Sequence, residues 1–374
     1  MKIIAAPDSF KGSLTAKAAA CAIEEGIKRH NASIEIIKIP LADGGEGTAQ
    51  TLCDATGGTM VSAVVRDPLM REITAQYALL GGGKTAVIEM AEASGLPLLK
   101  ASERNPLITT TYGTGQLVRA ALDRGCRRFI MAIGGSATND GGMGMMAALG
   151  AVFYDRDGRA LMQGGGALPA LAGIDIAGLD ARLAEAEFVA ACDVNNPLCG
   201  ENGAAAVFGP QKGASLADVK LLDGGLANYG QHLQKLFGRE FAQCPGAGAA
   251  GGLGAGLAAF LNSRMEPGAA LVKKEVRFAQ RLAGADLLIT GEGRMDMQTL
   301  SGKTPFAAAC EAKALGVPAI AVCGGLGDLD EAFYTYFQSV CSIVSRPMAL
   351  EEATENAYGL LADAVFRMMR VFDR

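Results

Sequence analysis

Lys2-Ile3-Ile4-Ala5-Ala6-Pro7-Asp8-Ser9-Phe10-Lys11-Gly12 is a short apolar run that halts at a proline and turns polar and acidic. A run of this length reads as a buried strand, and the spacing of Ala18, Ala22, Ile23 and Ile27 reads as a helix over residues 15–29. The pattern then repeats. Residues 34–39 form a second strand, Leu41-Ala42-Asp43-Gly44-Gly45-Glu46-Gly47 is its turn, and a helix runs on through Leu52. Two strand–turn–helix units in succession predict parallel pairing and a doubly wound α/β sheet.

Beyond them the rhythm changes. Residues 59–65, 72–80 and 85–90 are strand-like and separated by short turns, Arg66-Asp67-Pro68 and Gly81-Gly82-Gly83. Connections this short predict antiparallel hairpins. Alternation resumes with a helix over 115–123, a strand over 128–133 and a helix from about Met143. Further on come a strand over 187–191, a helix over 215–237, a strand over 286–290 and a helix over 304–315. A strand over 317–322 then ends in Cys323-Gly324-Gly325, and a last helix covers 351–372. The reading is two α/β domains. One is Rossmann/flavodoxin-like, doubly wound and discontinuous, over residues 1–70 and 285–374; the second is inserted over residues 71–284.

Composition agrees with that class. A chain of 374 residues exceeds one ordinary core. Half of it is hydrophobic, Trp is absent and aromatics are few, so aliphatic side chains must fill the interior. The 50 glycines follow no repeat and cluster after apolar runs, where a backbone can approach a ligand. Net charge is −5 with the signs mixed, which argues against a nucleic-acid partner. Nine scattered cysteines without a C-x-x-C predict free thiols in a reducing compartment. His30 and His232 are the only histidines, which excludes a multi-His metal site and disfavours a Ser-His-Asp hydrolase. The apolar run at the N-terminus is too short for a signal peptide. The longest uncharged stretch, residues 241–263, is too rich in Gly and Ala and too polar for a membrane span. A cytoplasmic enzyme without membrane contact is expected.

In open parallel sheets, ligands bind outside the carboxyl ends of the strands, so the turns there carry the functional reading. Gly291-Glu292-Gly293-Arg294-Met295-Asp296 is the richest, with two carboxylates and a guanidinium, and with Gln298, Thr299, Gly302 and Lys303 close behind. As a bland alternative it is a capped, solvated turn. Gly302-Lys303-Thr304 echoes the end of a Walker A loop, but Met297 stands where the first glycine is required. Gly134-Gly135-Ser136-Ala137-Thr138-Asn139-Asp140-Gly141-Gly142 suits a phosphate cradle at a helix mouth. Asp8-Ser9-Phe10-Lys11 and Asp43-Gly44-Gly45-Glu46-Gly47 occupy equivalent places, where an Asp can equally cap a helix. Asp193-Val194-Asn195-Asn196-Pro197 ends another strand, and its carboxylate could accept a hydroxyl proton. Gly209-Pro210-Gln211-Lys212-Gly213 adds a cation or is an exposed turn. Acids on turns that face an anion make sense when a divalent cation lies between them. Gly246-Ala247-Gly248-Ala249-Ala250-Gly251 matches G-x-G-x-x-G, without an apolar strand before it. It is the sole support for a rival reading, an NAD-linked hydroxy-acid oxidoreductase. A non-catalytic sugar-acid binding module is the other rival.

Taken together and in order, these segments resemble the bacterial glycerate kinase family of the glycerate 2-kinase type. The matching pieces are Ala6-Pro7-Asp8-Ser9-Phe10-Lys11, Ala42-Asp43-Gly44-Gly45-Glu46-Gly47, residues 134–141, Cys192-Asp193-Val194 with Asn196-Pro197-Leu198, Phe208-Gly209-Pro210-Gln211-Lys212-Gly213, and Thr290-Gly291-Glu292-Gly293-Arg294 with Asp296, Gln298-Thr299 and Gly302-Lys303. The resemblance implies Mg²⁺- and ATP-dependent phosphorylation of D-glycerate to 2-phosphoglycerate, with the site in the cleft between two α/β domains; phosphorylation at the 3-hydroxyl is the alternative. On that basis Asp193 is expected as the base, or to orient the attacking hydroxyl, with Asp296 second; Lys11 and Arg294 join them as catalytic. Gly134, Gly135, Ser136, Asn139, Asp140, Gly141 and Lys303 would bind ATP. Asp8, Ser9, Lys11, Asp43, Gly44, Gly45 and Arg294 would bind glycerate, and Asp8, Asp43 and Glu292 would meet Mg²⁺.

Overall fold

A computed structural model of the chain describes residues 1–372. Its strands, among those residues, are β1 (Lys2–Ala5), β2 (Glu35–Lys38), β3 (Thr59–Arg66), β4 (Glu72–Leu79), β5 (Thr85–Glu89), β6 (Arg128–Ala132) and β7 (Val152–Tyr154). They continue as β8 (Gly173–Asp175), β9 (Glu187–Ala191), β10 (Arg264–Glu266), β11 (Leu287–Met295), β12 (Ala319–Leu326) and β13 (Ser339–Ser342). The chain forms two compact units. The first holds residues 1–43, 54–56 and those from Ala269 on; the second holds 44–53 and 57–268.

The first unit is a five-stranded sheet in the order β13-β12-β11-β1-β2, with every neighbouring pair parallel. Numbered within the sheet, that is the flavodoxin-like order, and β1 and β11 flank its switch point. The Ala16–His30 helix starts where the hydroxyl of Thr15 accepts the Ala18 amide at 3.1 Å. It ends on Lys28, Arg29 and His30, cations placed at the negative end of its dipole. Its Ala19, Ile23 and Ile27 are buried with Ile3 and Ala5 of β1 and with Leu361 and Val365 of the Ala357–Met369 helix. Each of these isoleucines contributes about 1.5–3 kcal/mol by burial.

The second unit is a six-stranded mixed sheet, β10-β9-β6-β5-β4-β3, with a small β7-β8 hairpin. β3-β4 and β4-β5 are antiparallel, while β5, β6, β9 and β10 pair parallel. The β3–β4 ladder runs unbroken from Thr59↔Leu79 to Arg66↔Glu72. Residues 57–70 therefore go with the second unit, although the sequence reading put them in the first. Residues 269–284, expected in the insert, go with the first.

Two local expectations are overturned. Residues 291–295 are not a turn but strand, and the pairing of β11 with β12 continues through Met295↔Leu326. Cys323-Gly324-Gly325 likewise lies within β12. Glycine marks a close approach of backbones here: a Cβ on Gly291 would sit 1.8 Å from the Val322 carbonyl oxygen. The single C-terminal helix expected over 351–372 divides into Leu350–Glu355, Ala357–Met369 and a 3₁₀ turn, Arg370–Phe372. At the break the Asn356 side-chain amide donates to the Glu352 carbonyl at 2.9 Å, competing with the helical ladder.

Candidate functional site

At the switch point of the first unit, pairing continues past the ends of β1. The Ala6 amide donates to Ile289 O at 2.8 Å and the Asp8 amide to Gly291 O at 2.8 Å, while the Leu41 amide reaches Pro7 O at 2.9 Å. The Thr290 hydroxyl closes the set on Ala6 O at 2.7 Å. This ladder sets Asp8, Asp43 and Glu292 around one pocket of about 350 Å³, lined by Asp8, Ser9, Lys11, Asp43, Glu292, Gly293, Arg294 and Lys303. Lys11 Nζ contacts Asp43 Oδ2 at 3.1 Å. Lys303 Nζ stands 3.9 Å from Glu292, whose Oε1 accepts the Thr299 hydroxyl at 2.9 Å.

Negative charge is crowded here. Asp8 is 7% exposed. Burial, reinforced by the charge of Asp43, pushes its carboxyl from 3.8 up to about 6, against the Ser9 amide and Lys11. Burial also raises Glu292, with Asp8 adding to the rise and Thr299, Lys303 and Lys11 opposing it. For Lys11, burial pulls the ammonium down, but Asp43, Asp8 and Glu292 outweigh it and the net direction is up. Two lysines and an arginine beside three acids make a pocket suited to anionic oxygens and a cation together. Among the described residues no group of three His, Cys, Asp or Glu forms a metal cage by itself. Magnesium asks for less than a cage, since it is held by one or two carboxylates plus substrate phosphates.

Asp296 has a local task. It caps the Met297–Ser301 turn, accepting the Gln298 amide at 3.0 Å, and lies 3.4 Å from Arg294 Nε. It does not line the pocket.

The 134–142 turn belongs to the second unit, after β6. Gly134 and Gly135 are exposed; Ser136, Asn139, Asp140 and Gly141 are buried. The amides of Gly134, Gly135 and Ser136 donate to no group among the described residues, while the Gly135 and Ala137 carbonyls are taken by Leu96 N at 2.9 Å and Thr109 Oγ1 at 2.8 Å. Gly135 has φ of +73°, in the left-handed region that glycine adopts without strain. The helix that follows, Met143–Ala148, has only six residues, so the amides rather than a helix dipole are the attraction.

Asp140 faces inward. Its carboxylate accepts the Thr111 amide at 2.8 Å, the Gly142 amide at 3.1 Å and the Gly144 amide at 3.2 Å, with the Thr111 hydroxyl at 2.9 Å and that of Thr110 at 3.3 Å. Burial raises its pKa against those bonds. Its oxygens are engaged from beneath the turn, and Asn139 is likewise fully buried. Asp193, after β9, is exposed and accepts the Gly268 amide at 2.9 Å. Gly44 packs beside Gly268 and Ala191. The turn after it is capped by Glu89, which ends β5 and accepts the Gly47 amide at 3.1 Å and the Ala49 amide at 2.7 Å. Burial raises Glu89 to about 6.

The structure thus gathers Asp8, Ser9, Lys11, Asp43, Glu292, Arg294 and Lys303 around one pocket. It assigns Gly44, Gly45, residues 134–141 and Asp193 to the other unit. Sequence reasoning missed Glu89 and Thr111, which stand in no motif, and it left Lys212 as one cation of a turn. No strand precedes Gly246 in the segment from Gly238 to Gly248. All nine cysteines are free. No helix among the described residues is long and apolar enough to cross a membrane.

A flavodoxin-like sheet with an acid- and lysine-lined switch point, joined in one chain to a mixed sheet with a glycine-rich turn after β6, defines a two-unit α/β protein. The chain belongs to the glycerate kinase family, which it matches over residues 3–373, and it is a kinase. Glycerate kinase of Bacillus subtilis is 49% identical over 358 residues, 96% of this chain and 94% of that protein. Glycerate 2-kinase of Escherichia coli K12 is 44% identical over 359 residues, 96% and 94% of the two chains. A crystal structure from Salmonella typhimurium LT2, provisionally assigned as glycerate kinase 2, superposes with a TM-score of 0.92 at 43% identity, covering 100% of this chain and 98% of that one.

Proposed function

We propose that the protein transfers the γ-phosphoryl group of ATP to the 2-hydroxyl of D-glycerate, giving 2-phosphoglycerate. The observation that carries the reading is the switch-point pocket, where Asp8, Asp43 and Glu292 face Lys11, Lys303 and Arg294. Phosphoryl transfer asks a protein mainly for positioning and charge neutralisation, and this inventory supplies both without a histidine. Arg294 and Lys11 hold the glycerate carboxylate, helped by Ser9 and Asp43. Lys303 meets the transferring phosphoryl oxygens. The Gly134–Ser136 amides hold phosphate oxygens of ATP, while Asn139, Asp140 and Gly141 support them from below. Asp193 is exposed at a strand end and is the candidate to orient or deprotonate the attacking hydroxyl, with Asp296 limited to supporting Arg294.

The donor set fits Mg²⁺: buried, mutually repelling carboxylates gain from a cation, and Asp8, Asp43 and Glu292 are the residues that would hold it. Bound there, the ion would neutralise phosphate charge. The relatives described as glycerate kinases support the substrate, and the one described as glycerate 2-kinase supports the position.

The test is ADP release dependent on D-glycerate, followed by the ¹H-coupled ³¹P spectrum of the product. A doublet, from one hydrogen on the esterified carbon, is expected. A triplet would move the reaction to the 3-hydroxyl, and ATP consumption indifferent to glycerate would remove the substrate.

A further inference from the structure

Lys212 closes the short Pro210–Lys212 turn of the second unit, and its side chain runs inward until the residue is 1% exposed. Its ammonium donates to Ser136 Oγ at 2.7 Å and to the Thr138 carbonyl at 2.7 Å. Both acceptors lie in the 134–142 turn, and the Ser136 amide is one of the three without an acceptor among the described residues. A buried ammonium is costly unless paired, and an apolar side chain of similar volume would fill the site at less cost. Compensation is thin: among the described residues Asp140 is the one charged group acting on it, and it is occupied by Thr110, Thr111, Gly142 and Gly144. Burial accordingly depresses the ammonium to about 7. What the lysine does accomplish is geometric. Leu96 holds Gly135 O and Thr109 holds Ala137 O, while Lys212 ties the two positions between and beyond them, Ser136 and Thr138.

We infer that Lys212 is a positioning residue which, through Ser136 and Thr138, fixes the Gly134–Ser136 amides in the arrangement that receives nucleotide phosphate oxygens. The inference rests on the reading of this turn as the ATP cradle. When protonated, Lys212, set in a low-dielectric interior directly behind the turn, adds to the attraction for an anion outside.

The experiment compares Lys212→Met, Ser136→Ala, the double variant and Gly135→Val. KM for ATP and for glycerate are measured separately, ATP affinity is measured by calorimetry, and near-UV circular dichroism monitors the fold. Loss of a charge-assisted hydrogen bond predicts that Ser136→Ala raises KM and Kd for ATP about tenfold and leaves KM for glycerate unchanged. Lys212→Met should raise them more, and the double variant no further, because one bond is shared. A merely structural lysine would instead reduce kcat with the folded fraction and leave both KM values alone. That result, or additive effects in the double variant, overturns the proposal. If Lys212→Met does not fold, unchanged ATP affinity in Ser136→Ala overturns it alone. Gly135→Val, strained at φ +73°, separates the two readings. If it loses ATP while Ser136→Ala does not, only the role of Lys212 falls; if it binds ATP normally, the cradle reading itself falls.

Discussion

Replacing Asp8 by Asn should make the protein more stable and less active. Asp8 is 7% exposed, and its carboxyl is raised from 3.8 to about 6 by burial and by Asp43. A raised carboxylate pKa means that the folded state binds the proton more tightly than the unfolded state. Below pH 4 both states are protonated and the residue is neutral in its effect. As pH rises from about 4 through 6, the unfolded chain ionises first, and stability falls until the folded carboxyl has ionised too. A carboxyl raised from 3.8 to about 6 in this way corresponds to about 3 kcal/mol. Asn keeps an oxygen for the Ser9 amide, which the present carboxylate accepts at 2.6 Å, so the substitution removes charge with little change of contacts. Urea unfolding of both proteins from pH 4 to 8, without ATP or metal, reads the difference directly. The two should coincide near pH 4 and diverge above it, with Asp8→Asn the more stable by up to about 3 kcal/mol at pH 7. A pH-independent difference, or a less stable Asp8→Asn at pH 7, would refute the reasoning. Catalysis should move the other way, since the acid that destabilises the empty pocket is a proposed cation ligand.

Other outcomes follow from the same geometry. Gly291→Ala places a Cβ 1.8 Å from Val322 O, which strands locked in parallel pairing cannot relieve; a loss of about 3 kcal/mol is expected as a lowered urea midpoint. Asp193→Asn should lower kcat about 10²–10⁴-fold with KM for glycerate nearly unchanged, and near-normal turnover would remove Asp193 from the chemistry. Chelation of divalent cations should stop ADP release, and Mg²⁺ should restore it; turnover in excess chelator would argue against a metal. Lys11→Met leaves Asp43 without its 3.1 Å partner and should raise KM for glycerate more than KM for ATP, as initial-rate kinetics will show.

Residue patterns alone pointed to the parallel units. The run of Lys2 to Ala6 and the helix that Thr15 caps stand where they were expected, because periodicity and capping act within a few residues. Motif order likewise pointed to Asp8, Asp43 and Glu292 before any pocket was visible. Three matters escaped local reading. The 291–295 segment looked like a turn because glycine usually marks one, and only the register of β11 against β12 shows that its glycine admits a neighbouring carbonyl. Asp140 looked like a ligand for phosphate, yet five donors draw its carboxylate into the core. Lys212 reads in sequence only as a cation on a turn, functional or exposed, and its burial against Ser136 and Thr138 involves residues more than seventy positions earlier.

The sequence by itself therefore determined the class of sheet, the family and the inventory of acids, cations and glycine turns, since these rest on short-range pattern and residue chemistry. Only the tertiary structure decided which of those residues share a pocket, which are turned inward, and where a carboxyl or ammonium is pushed from its ordinary pKa. Desolvation and pairing are properties of what surrounds a side chain, and for Asp8, Asp140 and Lys212 those surroundings include residues far away along the chain, such as Asp43, Thr111 and Ser136.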